Sequence, residues 1–104
     1  MDLLEITIEY CAVWHYTDRA VSLAANLLSQ FESKIEKIAL IPSSGGRYEI
    51  TVNDDLLYSK LSTNRHANPG EVEQLVQKFI REGKKWAKRK VEFFQAPVQQ
   101  DGSI

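Results

Sequence analysis

The sequence predicts an α/β protein of two layers, in which a four-stranded mixed sheet carries both of its helices on one face. Three observations lead to this fold class: segments in which apolar residues alternate with polar ones, two segments with helical spacing, and the element order β-α-β-β-β-α. A helix between two strands is typical of a crossover that joins parallel strands, whereas a short turn joins antiparallel ones. The length of 104 residues fits one domain.

The first strand is predicted over residues 3–10. Apolar and polar residues alternate there in the order Leu4, Glu5, Ile6, Thr7, Ile8, Glu9 and Tyr10. Such a strand has one buried face and one wet face. Because glutamates under a helix would be costly, both helices are expected on the other face of the sheet.

The first helix follows from apolar residues spaced three and four apart. These are Ala20, Leu23, Ala24, Leu27, Leu28 and Phe31. Thr17 is the predicted N-cap, and Asp18 places negative charge in the first turn, where the helix dipole favours it. The pattern is also compatible with a start as early as Val13.

Three short strands are predicted next. The first covers residues 37–41 and ends at Pro42 and the loop 43–46, which contains two glycines. The other two cover residues 47–52 and 55–59 and form a hairpin around the turn pair Asn53-Asp54.

The second helix is predicted to follow a polar loop over residues 61–67. Asn68 is the expected N-cap and Pro69 the first helical residue. An apolar stripe then follows at Val72, Leu75, Val76, Phe79 and Ile80. We place the end of the domain at Gly83, so that residues 1–83 form the domain and residues 84–104 a basic C-terminal extension and flexible tail.

Composition excludes several classes of protein. One cysteine is too few for a disulfide framework or a cysteine-based metal site, and His15 and His66 lack partners at ligand spacing, so no metal is expected. The N-terminus is acidic where a signal peptide is basic, and no apolar run approaches the ~20 residues that span a membrane. The sequence therefore predicts a cytoplasmic protein without a membrane span.

A basic stretch lies between Lys78 and Lys90, although the net charge of the chain is only -1. It contains seven basic residues around Trp86 and one acid, Glu82. Nucleic acid, an anionic membrane or an acidic partner would suit it, but no nucleic-acid motif accompanies it. A solvated helix end is the preferred interpretation, and nucleic acid is not an expected partner.

Cys11 lies where the first strand gives way to the first helix. A thiol at a helix N-terminus has its pKa lowered from about 8.5 to roughly 3.5–7.5, and His15 would add positive charge if it faced the sulfur. One thiolate can attack a disulfide, but it needs an external thiol to resolve the mixed disulfide. The alternative is that Cys11 packs as a small hydrophobe without reactivity.

The surroundings of Cys11 suggest binding roles. Trp14 and Tyr16 suit an exposed docking patch, although Trp14 would equally well cap the core. Backbone N–H groups at Ser44, Gly45 and Gly46 would suit an anion such as a carboxylate, and the alternative is a permissive turn.

Together these segments resemble a thioredoxin-like fold, and in particular the selenoprotein W-like family (Rdx; SelT/SelW/SelH). The resemblance covers about residues 3–80. It rests on Ile6-Thr7-Ile8-Glu9-Tyr10-Cys11, Arg19-Ala20 with the following apolar stripe, Phe31 with Lys34-Ile35, Pro42-x-Ser44-Gly45-Gly46 and Tyr48-Glu49-Ile50-Thr51-Val52. Family members carry C-x-x-C, or selenocysteine in the second position, at this corner. Cys11 matches the first position and Trp14 the second.

The resemblance implies a thiol-redox protein linked to glutathione. With Trp14 in the second position, Cys11 would act as a monothiol, with no bound cofactor and with glutathione as co-substrate. Its partners would be protein thiols, or a protein that docks at the Cys11/Trp14 corner. The competing interpretation is a non-catalytic binding module on the same fold, assisted by Phe93 and Phe94. The open sheet face and these two phenylalanines would also suit a homodimer.

Overall fold

A computed structural model of the chain describes residues 3–82 and contains a four-stranded mixed sheet. The elements are β1 (Leu4–Cys11), α1 (Thr17–Phe31), a 3-10 turn (Glu32–Lys34), β2 (Ile35–Ser43), β3 (Tyr48–Val52), β4 (Asp55–Ser59), α2 (Lys60–Thr63) and α3 (Glu71–Arg81). The strand order is β2-β1-β3-β4. β2 runs parallel to β1, while β3 is antiparallel to both β1 and β4. The predicted α/β class and the mixed sheet are confirmed.

The chain divides into two compact units, Met1–Glu73 and Gln74–Ile104. The first unit contains the whole sheet, α1, α2 and the start of α3. The domain boundary expected at residue 83 stays a prediction. The basic extension over 84–104, with Phe93 and Phe94, lies outside the described residues. No helix within residues 3–82 is both long and apolar enough to cross a bilayer.

The core of the first unit follows the alternation of β1 and β3. One face of these strands is buried, as the strand pattern predicts. Its buried residues are Leu4, Ile6, Ile8, Tyr10, Tyr48, Ile50 and Val52. Ile8 and Ile50 stand opposite each other in the register, and both are fully buried. α1, which contacts β1 and β2, buries Ala20, Leu23 and Leu27, whereas Glu5 on the other face of β1 is exposed.

β2 is longer than predicted at both ends: it begins at Ile35 instead of Lys37, and Pro42 does not end it. The strand continues to Ser43, whose carbonyl accepts the Ala12 N–H at 3.0 Å and therefore faces β1. Successive residues of a strand direct their backbone groups to opposite sides, so Pro42 faces the outer edge. A proline there interrupts no hydrogen bond to β1, which is why an edge strand tolerates it.

The structure differs from the prediction at the start of α1 and in an additional short helix, α2. α1 begins at Thr17 with Tyr16 as its N-cap residue, and it has no side-chain cap hydrogen bond. The prediction of Thr17 as N-cap was therefore wrong, and so was the start at Val13. The segment expected to be loop contains the short helix α2. The Ser59 hydroxyl caps it by accepting the Ser62 N–H at 3.0 Å, a local bond that apolar periodicity does not reveal.

α3 begins at Glu71, two residues later than Pro69 was expected to start it. The Glu71 N–H donates to the Asn68 carbonyl at 2.9 Å, and the Glu71 carboxylate accepts the Asn68 N–H at 2.9 Å. Both carboxylate oxygens of Glu71 also accept hydrogen bonds from Arg65, at 2.8 and 2.9 Å. The segment before α3 is thus held by a paired, two-point interaction.

This interaction makes stability depend on pH. The Arg65 and Asn68 hydrogen bonds lower the pKa of Glu71 from 4.5 to about 2. A carboxyl whose pKa falls on folding stabilises the fold above its unfolded pKa and loses that contribution as pH falls. We expect Glu71→Gln to flatten the decline in urea midpoint between pH 4.5 and about 2. Glu36→Gln, at an exposed position on β2, is the charge-matched control, and an equal flattening in both variants would contradict the assignment.

Candidate functional site

Cys11 is the last residue of β1, and its side chain is fully buried, with 0% of its surface exposed. Its backbone N–H donates to the Arg47 carbonyl at 2.8 Å, and its carbonyl accepts the Tyr16 N–H at 3.1 Å. These bonds connect it to the segment before β3 and to the entry of α1. The thiol is therefore held in place by its backbone and shielded from solvent.

The Cys11 sulfur receives one hydrogen bond within residues 3–82, from the Trp14 N–H at 3.3 Å. This donor belongs to a turn closed by the His15 N–H and the Ala12 carbonyl at 3.0 Å. Since α1 begins only at Thr17, the donor at the sulfur comes from the turn and not from the first turn of the helix that the sequence suggested. His15 is exposed with a φ of 66°, and it makes no hydrogen bond to the sulfur.

The Trp14 ring lies directly on Gly46. A Cβ added to Gly46 would lie 2.7 Å from Cζ3 of the indole, which is closer than atoms pack. Gly46 is also buried and has a φ of +73°, in the left-handed region that L side chains rarely adopt. Glycine is thus required here both for backbone conformation and for the close approach of Trp14, which itself remains 55% exposed.

The loop between β2 and β3 is bonded to β1 by side chains. Glu9 accepts the Ser43 hydroxyl at 2.8 Å and lies 3.8 Å from Arg47 Nε. A second Arg47 nitrogen donates to the Ser44 carbonyl at 2.8 Å. This places a guanidinium beside the segment that contains Gly45. The anion-binding role suggested for Ser44, Gly45 and Gly46 stays a prediction.

Trp14 belongs to a group of aromatic side chains within the first unit of the chain. We define this aromatic cluster as Trp14, Tyr16, Tyr48 and His66. Its rings meet edge to face. The Tyr16 centroid lies 6.1 Å from that of Trp14, 6.4 Å from that of Tyr48 and 4.4 Å from that of His66. The centroids of Tyr48 and His66 are 5.5 Å apart. Such geometry is favourable for aromatic pairs. Tyr16 is the member that touches all the others.

Two cations, Lys60 and Arg19, lie near the aromatic cluster. Lys60 Nζ lies 5.5 Å from the centroid of the Trp14 ring and 5.7 Å from that of Tyr16, within range of a cation–π interaction. The Tyr48 hydroxyl donates to the Arg19 carbonyl at 3.2 Å, and burial raises the pKa of Tyr48 to about 12. Burial, followed by the charges of Arg19 and Lys60, lowers the pKa of His66. A lowered pKa favours the neutral form of the imidazole.

His66 also has a buried Nδ1 atom without a hydrogen-bond partner in the described part of the chain. Buried polar nitrogens are usually paired, so such an atom needs an explanation. Among residues 3–82, no group of three or more His, Cys, Asp or Glu side chains is placed to hold a metal ion.

The structure brings together some of the candidate residues and separates others. Cys11, Trp14 and Gly46 meet at the corner, and Tyr16 connects them to the aromatic cluster, whereas His15 is directed to solvent. Tyr48, Lys60 and His66 were not selected as site residues. The alternation of β3 could have placed Tyr48 on the buried face, but nothing in the sequence indicates that His66 approaches Tyr16.

Comparisons with known proteins agree with this geometry. The family model described as "Rdx family" matches residues 5–78. The structure is similar to a selenoprotein W-related protein from Vibrio cholerae, with 29% identity and a TM-score of 0.72 over 76% of this chain and 99% of that chain. A protein from Bordetella parapertussis has 28% identity and a TM-score of 0.70 over 73% of this chain and 96% of its own. A comparison with curated proteins finds no match.

The family model covers well over half of the chain and includes Cys11, Trp14, Gly46 and the whole aromatic cluster. The two solved structures match this chain over almost their full length. The chain therefore belongs to the Rdx family and has a selenoprotein W-like, thioredoxin-like fold, and this membership suggests a thiol-redox related role.

Proposed function

We propose that this protein carries out thiol–disulfide exchange through Cys11 as a monothiol, with glutathione as the resolving thiol. The observation that carries the proposal is the Trp14 N–H, which donates to the Cys11 sulfur at 3.3 Å. This backbone donor is placed to hydrogen-bond to the sulfur during exchange, in which the thiolate is the attacking species. Since Cys11 is the only cysteine, no second thiol of the chain can complete the reaction.

The proposed exchange has two balanced steps. The Cys11 thiolate attacks oxidised glutathione, so that a bond forms between Cys11 and one glutathione sulfur while the second glutathione leaves as a thiolate and takes up a proton. A reduced glutathione then attacks the glutathione sulfur of the mixed disulfide. Oxidised glutathione and the Cys11 thiolate are regenerated. A protein disulfide or a glutathionylated protein would replace oxidised glutathione in the same sequence.

Burial of Cys11 adds a gate to this reaction. Because the side chain is fully buried, a disulfide can reach the sulfur only after a local opening, and we assign this opening to the turn whose Trp14 N–H contacts the sulfur. The observed rate would then be the intrinsic rate multiplied by the open fraction of molecules, as for other local openings. The exposed Trp14 ring against Gly46 and the His15–Ala12 hydrogen bond are the contacts that must separate.

A second function is favoured by the same burial. A fully buried thiol beside a tryptophan that is 55% exposed is also the arrangement of a binding surface with a structural cysteine. In this case Trp14 and Tyr16 would contact a protein partner, since large aromatic side chains supply much of the binding energy at interfaces. The chemistry of Cys11 separates the two functions.

The test is glutathionylation of the native protein, followed by mass spectrometry. Monothiol exchange predicts one glutathione adduct on the wild-type chain that reduced glutathione removes, and no adduct on Cys11→Ser. Wild type in urea is the positive control, because unfolding exposes the thiol. An adduct that forms in urea but not in the native state, at matched pH and time, would overturn the redox proposal and support the binding module.

A further inference from the structure

We propose that the aromatic cluster, together with Lys60, forms a binding site for a carboxylate of the substrate that exchanges at Cys11. This inference rests on the proposed function and assigns its substrate class: thiols and disulfides that carry a carboxylate near the sulfur. The observations behind it are two groups beside Trp14 and Tyr16: the Lys60 ammonium, which has no ion pair within residues 3–82, and the unpaired Nδ1 of His66.

Lys60 supplies the first part of the argument. Its ammonium lies over the rings of Trp14 and Tyr16, and no carboxylate of residues 3–82 is within ion-pair distance of it. The π faces attract the cation but carry no net charge, so they do not replace an ion-pair partner. Since Trp14 is exposed and Lys60 is half-buried, an incoming anion can reach the ammonium without unfolding the corner.

His66 supplies an independent second part. Its buried Nδ1 has no hydrogen-bond partner in the described chain, although its ring touches both Tyr16 and Tyr48. With its proton on Nδ1, neutral His66 would donate to a carboxylate oxygen once Tyr16 shifts aside. One anion would then serve both groups, since the charge of Lys60 is near enough to act on His66.

None of the acids near the aromatic cluster forms an ion pair with Lys60 among residues 3–82. The Glu49 carboxylate accepts the backbone N–H groups of Tyr48 and Leu61, at 3.4 and 3.3 Å. Glu71 is engaged by Arg65, with both oxygens accepting hydrogen bonds. Glu73 is buried and acts on Tyr48, and the charges that act on His66 are Arg19 and Lys60, both positive. A carboxylate from outside the chain would complement this field, as expected for recognition by charge.

Binding of S-methylglutathione, followed by NMR, tests this proposal separately from thiol exchange. The compound carries two carboxylates but no free thiol, so it cannot react with Cys11. We expect shifts at the Trp14 indole and at His66, and a rise in the pKa of His66 on binding. Affinity should therefore increase as pH falls through the range between the free and bound pKa values of His66. The diamide of S-methylglutathione, which lacks both charges, should not bind.

Lys60→Met should weaken binding of S-methylglutathione about fivefold, equivalent to ~1 kcal/mol. Lys37→Met is the matched control. On β2, Ser43 is the residue paired with Cys11, and Lys37 is paired with Glu5. Lys37 therefore lies six residues along the strand, or ~20 Å, from the corner. A tetraglutamate peptide identifies the source of the carboxylate: binding with the same Lys60 dependence indicates acidic protein substrates, and its failure beside S-methylglutathione indicates small thiols. If neither compound binds, or if both lysine variants lose affinity equally, the proposal is wrong.

Discussion

Gly46→Ala is expected to lower the free energy of unfolding by about 2–4 kcal/mol. Two causes add up. The left-handed φ of +73° costs an L residue about 1–2 kcal/mol, and the new methyl group would lie 2.7 Å from Cζ3 of Trp14 and must push the ring away. The measurement is urea unfolding followed by circular dichroism. The urea midpoint should fall while the slope m, the dependence of the unfolding free energy on urea concentration, stays constant.

Gly70→Ala separates the two causes. Gly70 has a φ of +82°, and nothing lies within 4 Å of the position its Cβ would take, so this variant bears the cost of conformation alone. In a Trp14→Ala background, Gly46→Ala should then cost about as much as Gly70→Ala. An undiminished cost in that background would show that the indole is not what excludes a side chain at Gly46.

Trp14→Cys is expected to convert the monothiol into a dithiol that closes an internal disulfide. The backbone nitrogen of residue 14 lies 3.3 Å from the Cys11 sulfur, and the small thiol would also free the space that the indole occupies on Gly46. A glutathione adduct on Cys11 would then be attacked by the new thiolate, releasing reduced glutathione. Overall, one oxidised glutathione gives the protein disulfide and two reduced glutathiones.

Thiol titration and mass spectrometry measure this conversion. After exposure to oxidised glutathione, Trp14→Cys should have neither free thiol nor adduct, and dithiothreitol should restore both thiols. Trp14→Ser, which opens the corner without adding a thiol, should keep the adduct. A stable adduct on Trp14→Cys would mean that the turn cannot bring the sulfurs to the ~2 Å separation of a disulfide.

Much of the fold was predictable because its signals are local. The alternation of β1 set which face is buried, and the turn pair Asn53-Asp54 placed β4 at Asp55–Ser59. Both central turn residues have positive φ, as a tight hairpin requires. The element boundaries that were predicted wrongly depend on the position of a segment in the fold, which the local sequence does not reveal. Pro42 predicts a strand end unless the strand is known to lie at the sheet edge.

The candidate site was predictable only in part. The corner could be found because Cys11 and Gly46 match motif positions of the family that the sequence resembles, and Trp14 stands where that family carries its second cysteine or selenocysteine. The burial of the thiol could not, since it depends on how the turn folds back over the strand end. His66 joins Tyr16 from fifty residues away through the packing of a loop, which leaves no periodic trace in the sequence.

Pro42 has a consequence for how the sheet could be extended. By alternation from Ser43, the backbone donors of β2 that face outward include those of Ile38 and Leu40, and the next outward position is Pro42, which has no N–H. An extended peptide that added to this edge would thus find its ladder interrupted just before the end of the strand. A second copy that paired with the β2 edge would lose its hydrogen bonds at Pro42, one residue before Ser43, the partner of Cys11. Assembly of copies along β2 would therefore not cover the end of the sheet where Cys11 lies.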